Sequence, residues 1–453
     1  MLERPYEAYV YAYPHKTAYR PLEPKPLLAD VWRGEERDAL SFYTHVPFCE
    51  VRCGFCNLFT RTGAPESLTV AYLDALERQA IAVRAALDES GPAPRFANAA
   101  IGGGTPTYLS PDELSRLFDI AEKVMGVGLG AVPLSVEASP ATATPDRLAV
   151  LAGRGTTRLS LGVQSFDDGE ARSAVRPQKA GDVFAALDAV RASGIPVLNV
   201  DLIYGIEGQS RESWLGSLRT ALRWLPEEIY LYPLYVRPLT GLGRLRVDQD
   251  AAWDAQRLDL YRAGRDFLLE SGYEQVSMRM FRRLDAPVVE GGEDYACQTD
   301  GMIGLGCGAR SYTSSLHYSF DYAVSASEVR GIIDAYVGAG DFSRAEVGYR
   351  LDGEEKARRF LIQSLLQAEG LAAGEAVEAV ERFGGEMEAL RARGFLESGA
   401  GMLGEAGAAG AAGSAALDGR LRLSAEGLAW SDAVGPMFFS EAVRAAMRAY
   451  ELK

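Results

Sequence analysis

The sequence predicts an α/β protein: a parallel sheet arranged as a partial (β/α)6 barrel, followed by an α-rich C-terminal domain. Three observations point there. Six short apolar runs alternate with amphipathic helical stretches between Ser41 and Val236. Several of those helices open on capping signals, as in Ser110-Pro111-Asp112-Glu113. From about Ala345 the pattern turns helical throughout. Strand–helix alternation closes through right-handed crossovers into a parallel sheet, and six units suit a barrel left open on one side. The functional site of such a barrel is expected at the C-terminal ends of its strands.

Residues 1–40 come first, rich in Tyr and Pro: Tyr6, Tyr9, Tyr11, Tyr13, Pro14, Pro21, Pro24 and Pro26. Repeated prolines break helices, so an extended arm is expected, packing its aromatics on the barrel. Their density beside the cysteine motif described below leaves a covering role open.

The barrel is expected over 41–245. Its strands are Ser41–Val46, Ala97–Ile101, Leu134–Glu137, Arg158–Val163, Leu198–Ile203 and Ile229–Val236. Tyr72, Leu76, Ala80, Val83 and Leu87 recur at three and four residues and mark one buried helix face. Ser110 is an N-cap, Pro111 a first-turn proline and Glu113 the return half of a capping box. Thr144-Pro145-Asp146 opens the next helix in the same manner, with Gly153 or Gly155 closing it. Phe184, Leu187 and Val190 stripe another, and Trp214, Leu218 and Leu222 the last.

A central extension is expected over 246–345, with a helix from near Trp253 carrying Leu258, Tyr261, Arg265 and Leu268, then a strand after Gly272. The C-terminal domain, 346–453, starts with a helix over Glu354–Gln367 whose buried face holds Ala357, Phe360, Leu361 and Leu365. A second helix covers Gly374–Phe383, Met387–Arg393 leads into a loop, and a short hairpin follows, involving Leu421–Leu423 and Leu428-Ala429. The Gly- and Ala-rich stretch Ser398–Gly419 reads as a flexible loop.

At 453 residues the chain is long enough for several domains and a large core. No apolar run is long enough to span a membrane, and the N-terminus lacks a signal-peptide pattern, so a cytoplasmic protein is expected. A net charge of −15 opposes non-specific binding to nucleic acid or anionic membranes, without forbidding a local basic pocket.

The chemistry centres on Cys49, Cys53 and Cys56, spaced C-x3-C-x2-C. Three clustered thiols cannot all pair as disulfides. They leave a four-coordinate zinc one ligand short unless His45 supplies it. Thiolates are equally the usual ligands of iron–sulfur clusters, and a [4Fe–4S] cluster held by three would keep one iron open.

At this motif the chain resembles the radical S-adenosylmethionine (SAM) enzymes, whose signature is C-x3-C-x2-C with an aromatic, here Phe55, before the last Cys. The wording Tyr43-Thr44-His45-Val46-Pro47-Phe48-Cys49 is similar to the branch of oxygen-independent coproporphyrinogen III oxidase (HemN) and the haem chaperone HemW. The resemblance implies a [4Fe–4S] cluster on Cys49, Cys53 and Cys56 whose open iron binds the amino and carboxylate groups of SAM, one or two molecules of it. An electron from the cluster would cleave SAM to a 5′-deoxyadenosyl radical. The resemblance also implies a winged-helix-type C-terminal domain, read here as a lid or substrate-docking module, since the acidity of the chain argues against DNA.

The same resemblance assigns the residues around SAM. Gly103, Gly104 and Thr105, in Ile101-Gly102-Gly103-Gly104-Thr105-Pro106, would contact its amino end, where glycines let backbone N–H groups approach. Glu137 would bind ribose hydroxyls or the amino group. Gln164, Arg176 and Asp201 match positions that touch a second SAM, with Arg suited to a carboxylate. Tyr43 and Phe55 complete the set.

Two features depart from the pattern: Arg237–Leu242 replaces a family loop, and Cys307 stands between Gly306 and Gly308 where many relatives have Pro. Cys307 and Tyr312 are the candidate catalytic residues. Cys307 is read as a fourth cluster ligand, a hydrogen-atom donor or a redox partner, against a small buried residue in a tight turn. His317 reads as structural.

The expected activity is radical modification of an unreactive carbon in a small-molecule substrate, methyl transfer first, with electrons from a donor such as flavodoxin or ferredoxin. Coproporphyrinogen decarboxylation and haem binding of the HemW type are the alternatives.

Overall fold

Seven parallel strands form the centre of one 13-stranded sheet. Six are those the sequence marks: β1 (Leu40–Val46), β2 (Phe96–Gly103), β3 (Leu134–Ala138), β4 (Arg158–Gln164), β5 (Val197–Tyr204) and β6 (Glu228–Pro233), side by side in chain order. This computed structural model describes residues 2–245, 250–287, 297–298, 300–397 and 419–451. The order of strands is linear and, among the described residues, its two ends do not pair, so the sheet is open.

Between the strands run α1 (Glu66–Ser90), α2 (Pro111–Asp119), α3 (Pro145–Gly153), α4 (Ala180–Ala192) and α5 (Arg211–Ala221). All five apolar residues expected on the buried face of α1 are buried. At α2 the capping box forms: Glu113 N–H donates to Ser110 Oγ at 3.3 Å, and Ser110 N–H to Glu113 Oε2 at 2.9 Å. Helix α3 begins at Pro145, but Thr144 forms no cap bond, because its hydroxyl donates to Asp146 Oδ1 at 2.5 Å. Burying a large apolar side chain contributes about 1.5–3 kcal/mol, so the α1 face alone holds that helix on the sheet.

The stretch expected as a central extension adds strands to both ends of this sheet. Helix α6 (Ala251–Glu270) leads to β7 (Met280–Arg283), antiparallel to β6 at one end. At the other end β8 (Met302–Leu305) lies parallel to β1, and β9 (Arg310–Tyr312), β10 (Leu316–Ser319) and β11 (Val347–Arg350) continue outward antiparallel. Their buried residues share one core with the barrel strands. In α6, Arg257 is buried while Arg265 is only partly so, since Arg257 Nη1 donates to Leu234 O at 2.7 Å and the guanidinium lies over the Tyr6 and Trp253 rings.

A second core belongs to the C-terminal domain. Its helix α7 (Gly353–Leu365) is turned from the expected face: Phe360 is 38% exposed while Ile362 is buried beside Leu361 and Leu365. The reason is polar. Glu355 accepts from the Tyr13 hydroxyl and Arg359 Nη1 meets His317 Nε2 at 3.0 Å, which draws those two residues inward. The expected hairpin is reduced to isolated bridges, Leu371 with Leu421 and Leu396 with Leu423. Of the Gly/Ala-rich loop, Ser398 to Leu417 and Asp418 lie outside the described residues.

The arm stitches the two cores together. Tyr6 and Leu22 belong to the barrel core, whereas Leu2, Tyr13 and Ala18 belong to the C-terminal one. Ala8 N–H donates to Asp432 O at 3.1 Å, and Arg20–Pro21 pairs antiparallel with β11. Among the described residues no helix is long and apolar enough to cross a membrane.

Candidate active site

The cysteine loop leaves β1 at Pro47 and is pinned from both sides. Gly54 N–H donates to Ala174 O at 3.0 Å, and Leu242 N–H donates to Gly54 O at 2.7 Å. A Cβ on Gly54 would press into Val175, so only glycine fits there. Phe55, next in the chain, packs on the small cluster of Ala174, Ile203, Ile206, Leu234, Val236 and Leu242.

None of the three thiols is in a disulfide, and each has a polar neighbour. Thr105 Oγ1 donates to Cys49 Sγ at 3.5 Å, Arg176 Nη1 to Cys53 Sγ at 3.0 Å, and Thr60 Oγ1 lies 3.9 Å from Cys56 Sγ. Burial pushes the Cys49 thiol up to about 12, with further push from Cys56 and Cys53. A thiol held as that of Cys49 ionises when a metal is there to receive it.

Among the described residues no three His, Cys, Asp or Glu side chains converge tightly enough for a single metal ion. Thiolates that share a cubane bind different irons and need not meet at a point. The zinc alternative required His45, and its ring is committed elsewhere. Nε2 lies 3.1 Å from Phe59 O and must donate, so Nδ1, 3.2 Å from the Tyr43 hydroxyl, accepts. Burial holds this imidazole down to about 4, so it is neutral near pH 7. It also acts as a spacer: a Cβ on Gly103 or on Gly308 would collide with the ring, so both Gly-rich segments close on His45. Donor type, spacing and second contacts therefore fit an iron–sulfur cluster better than zinc.

Along β3–β6 the polar residues occupy two successive levels of one face of the sheet. Register sets Glu137 beside Ser160, Gly162 beside Asp201 and Asp201 beside Tyr230. Glu137 is accessible, yet protein surrounds it, which places it on the wall of an internal hollow. Its Oε2 accepts from Gly103 N–H at 2.9 Å, and burial pushes its carboxyl up to about 7. Asp201 is also raised by burial, and it accepts from Asn199 Nδ2 at 2.8 Å and Ser160 Oγ at 3.1 Å. Gly104 N–H donates to Val46 O at 2.8 Å, and a Cβ there would meet the Phe48 carbonyl at 2.6 Å. Tyr43 stands on the same wall, its phenol raised by burial and by Glu137.

Gln164 ends β4 at a register shift with φ +70°, a left-handed conformation that costs a non-glycine residue energy. Arg176 faces it from the following loop, bonded through Nη2 to Gly162 O and through Nε to Gln178 Oε1 at 2.5 Å. Of the residues expected around SAM, Gly103, Glu137 and Gln164 sit at the carboxyl ends of parallel strands, Phe55, Gly104, Thr105 and Arg176 in the segments that follow, and Tyr43 and Asp201 farther back within β1 and β5.

The two candidate catalytic residues separate. Cys307 is fully buried in the main core, beside Tyr72 of α1 and Tyr336, with its thiol pushed well up by burial. That position is on the helix side of the sheet and not at the hollow, which removes it as a cluster ligand or hydrogen-atom donor. The glycines on either side explain this: neither tolerates a Cβ against His45, so the turn aims Cys307 the other way. Tyr312 stays in the hollow, its phenol raised by burial despite Arg310. His317 is fully buried, 4.3 Å from the Tyr312 ring between centroids.

Tyr230, Tyr232, Lys16 and Arg310 join the hollow without a site role in the sequence reading, whereas Tyr9 and Tyr11 belong to the arm for which a covering role is left open there. Tyr230 and Tyr232 stack at 5.8 Å on one face of β6, while Ile229 and Leu231 are buried on the other. That period-two alternation was the available signal. From the arm come Tyr9, 6.2 Å from Tyr232, together with Tyr11 and Lys16; from β9 comes Arg310. Only tertiary structure brings those together.

Comparison with known proteins agrees with this geometry. A family model described as Radical SAM superfamily matches residues 43–221. An oxygen-independent coproporphyrinogen III oxidase from Bradyrhizobium diazoefficiens is 30% identical over 335 residues, 72% of each chain. One from Escherichia coli is 32% identical over 252 residues, 54% of this chain and 53% of that one. The heme chaperone HemW of Bacillus subtilis is 34% identical over 200 residues, 44% of this chain and 52% of its own. The matched part spans about half the length of the last two relatives. The solved structure of E. coli coproporphyrinogen III oxidase (HemN) shares the fold, with a TM-score of 0.72 at 23% identity over 91% of this chain and 92% of that one.

Proposed function

The chain belongs to the radical SAM superfamily, in the branch of oxygen-independent coproporphyrinogen III oxidase and HemW, and on that premise we propose that it acts on an unreactive carbon of a small-molecule substrate, methyl transfer being the first choice of reaction. The family cofactors are a [4Fe–4S] cluster and SAM. When bound, they supply an electron and a cleavable sulfonium, the source of a 5′-deoxyadenosyl radical.

The chain's own residues would then hold and orient. Cys49, Cys53 and Cys56 are the cluster ligands, with Thr105 and Arg176 donating to two of the sulfurs. Such outer contacts fix ligand geometry and tune a metal centre. Gly103 and Gly104 let the backbone come close to the amino end of SAM, and Glu137 and Asp201 present carboxylates to its amino or hydroxyl groups. Gln164 and Arg176 line the next position. The arm and the C-terminal domain cover the hollow, which keeps bulk water from a reactive radical. A small redox protein such as flavodoxin or ferredoxin would deliver the electron.

The observation that carries the reading is the Arg176 guanidinium on Cys53, inside a loop of three unpaired thiols. The test is anaerobic incubation of reconstituted protein with SAM and dithionite. Formation of 5′-deoxyadenosine supports it; its absence, with tight haem binding, moves the chain to the chaperone reading. The similarity to coproporphyrinogen oxidases keeps one rival reaction in view. Labelled methyl in product favours transfer, and CO2 from added coproporphyrinogen favours decarboxylation.

A further inference from the structure

Two cations face each other inside the hollow with no carboxylate to pair them. Lys16, from the arm, stands over the Tyr322 ring with Nζ 3.7 Å from the centroid and 5.9 Å from that of Tyr11. Arg310, from β9, stacks its guanidinium 4.8 Å from the Tyr11 centroid. Among the described residues neither forms an ion pair, and Arg310 Nη1 is buried without a hydrogen-bond partner. The Tyr19 hydroxyl is buried and unpartnered as well, at 3% exposure, and the buried Tyr11 hydroxyl lies between the two cations, within their reach but without a well-formed bond to either. Their neighbours are phenols and the Cys56 thiol. Leaving such groups unmatched in a low-dielectric site is costly, and an anion that accepts from all of them removes the cost.

The electrostatics agree. Burial lowers the Lys16 ammonium, and although burial raises the Tyr11 phenol, Lys16 and Arg310 outweigh it and hold that phenol below its ordinary value. Two cations that draw negative charge onto a tyrosine would draw it more readily from an acid. The site is separate from Arg176, whose guanidinium is engaged by Cys53, Gly162 and Gln178. It adjoins the cluster loop, since the Tyr322 hydroxyl donates to Asn57 O at 2.9 Å. Around it the walls are ring faces, Tyr9 and Tyr232 among them.

We propose that Lys16, Arg310 and the Tyr11 and Tyr19 hydroxyls form a carboxylate seat for the substrate, whose apolar body lies against the neighbouring tyrosine rings. Half of this seat comes from the arm, so the arm is part of the substrate site as well as its cover. The inference rests on the radical SAM reading for the identity of the reacting centre, but not for the binding itself.

The test uses the full-length, cluster-loaded protein with SAM present and calorimetry with 3-phenylpropionate, 3-phenylpropanamide and phenyl phosphate. The acid is expected to bind at least about tenfold tighter than the amide, and Lys16→Met and Arg310→Met each to remove about tenfold of that affinity. SAM affinity measured in parallel is expected to change far less. Acid and amide binding alike would overturn the seat. So would phenyl phosphate binding more tightly than the acid, or the two variants losing SAM as much as phenylpropionate. Lys16→Met alone keeps the test decisive if Arg310→Met does not fold. Wild-type protein that prefers the acid yet makes no 5′-deoxyadenosine leaves the seat standing and removes the reaction; the converse result removes only the seat.

Discussion

Arg176 Nη1 donates to Cys53 Sγ at 3.0 Å, while its Nη2 is anchored on the Gly162 carbonyl at the exit of β4. A cationic donor on a cluster thiolate stabilises the reduced, more negative state of the centre. A hydrogen bond to a charged group is worth about 1.5 kcal/mol or more, which for one electron corresponds to roughly 60 mV. Arg176→Gln is therefore expected to keep its iron, because all three thiols remain, and to lower the cluster potential by about that amount. A spectroscopically followed redox titration measures it, and an unmoved potential would show that the contact is only structural.

Cys307 and the cluster cysteines should part company. Cys307→Ala is expected to retain iron, sulfide and 5′-deoxyadenosine formation, because its thiol packs behind the sheet beside Tyr72. Cys53→Ala is expected to lose the cluster. Iron assay on anaerobically purified protein distinguishes the two. A colourless Cys307→Ala protein that is still folded would restore it as a ligand.

The contrast between these cysteines shows where sequence stops being legible. C-x3-C-x2-C and the six apolar runs are local patterns, and the strand at Arg158–Gln164 was read to within one residue. Cys307 had an equally suggestive context, yet its direction depends on His45, which is packed between Gly103 and Gly308 from distant parts of the chain. Lys16 and Arg310 are further apart still, and nothing in either neighbourhood signals the other. Phe360 fails for a related reason: the α7 stripe is rotated by Glu355 and Arg359, whose partners Tyr13 and His317 lie outside the helix.

Gln164 holds φ +70° where the strand shifts register. A left-handed residue with a Cβ costs about 1–2 kcal/mol, part of which glycine gives back through its freer unfolded chain. Gln164→Gly is expected to be more stable than Gln164→Ala by about 0.5–1 kcal/mol, with both weakened in SAM binding through loss of the amide. Denaturant midpoints compare the pair, and equal midpoints would mean the backbone is unstrained.

Glu137 supplies a pH dependence. Its folded value, about 7 through burial, lies above that of a free carboxyl. The unfolded chain releases this proton first as pH rises, so the contribution to stability is present at low pH and lost as pH rises through about 7. Relative to Glu137→Gln, the wild type should lose stability from about pH 5 to about pH 8, whereas its SAM affinity should rise over the same span as the carboxylate forms. A difference between the two proteins that is flat with pH would place the Glu137 carboxyl at an ordinary value.

Asp432 is the remaining critical carboxylate, and its role is mechanical. It is 1% exposed, pairs with Arg279 Nη2 and accepts from the Tyr235 hydroxyl at 2.6 Å, while Arg279 lies 4.0 Å from the Tyr9 ring centroid. Its backbone carbonyl takes the Ala8 N–H of the arm. One residue thus links the C-terminal domain, the loop after β6, the loop before β7 and the arm over the hollow. Asp432→Ala strips a buried guanidinium of its partner, a change that costs about 3–5 kcal/mol, whereas Asp432→Asn keeps one acceptor and should cost less. The arm around Tyr9 and Tyr11 should loosen before the barrel does, because neither tyrosine belongs to the barrel core. Limited proteolysis near Tyr9 and Tyr11 is therefore expected to speed up in Asp432→Ala while the α1 region stays protected. Simultaneous cleavage of both regions would show that the arm has no independent anchorage.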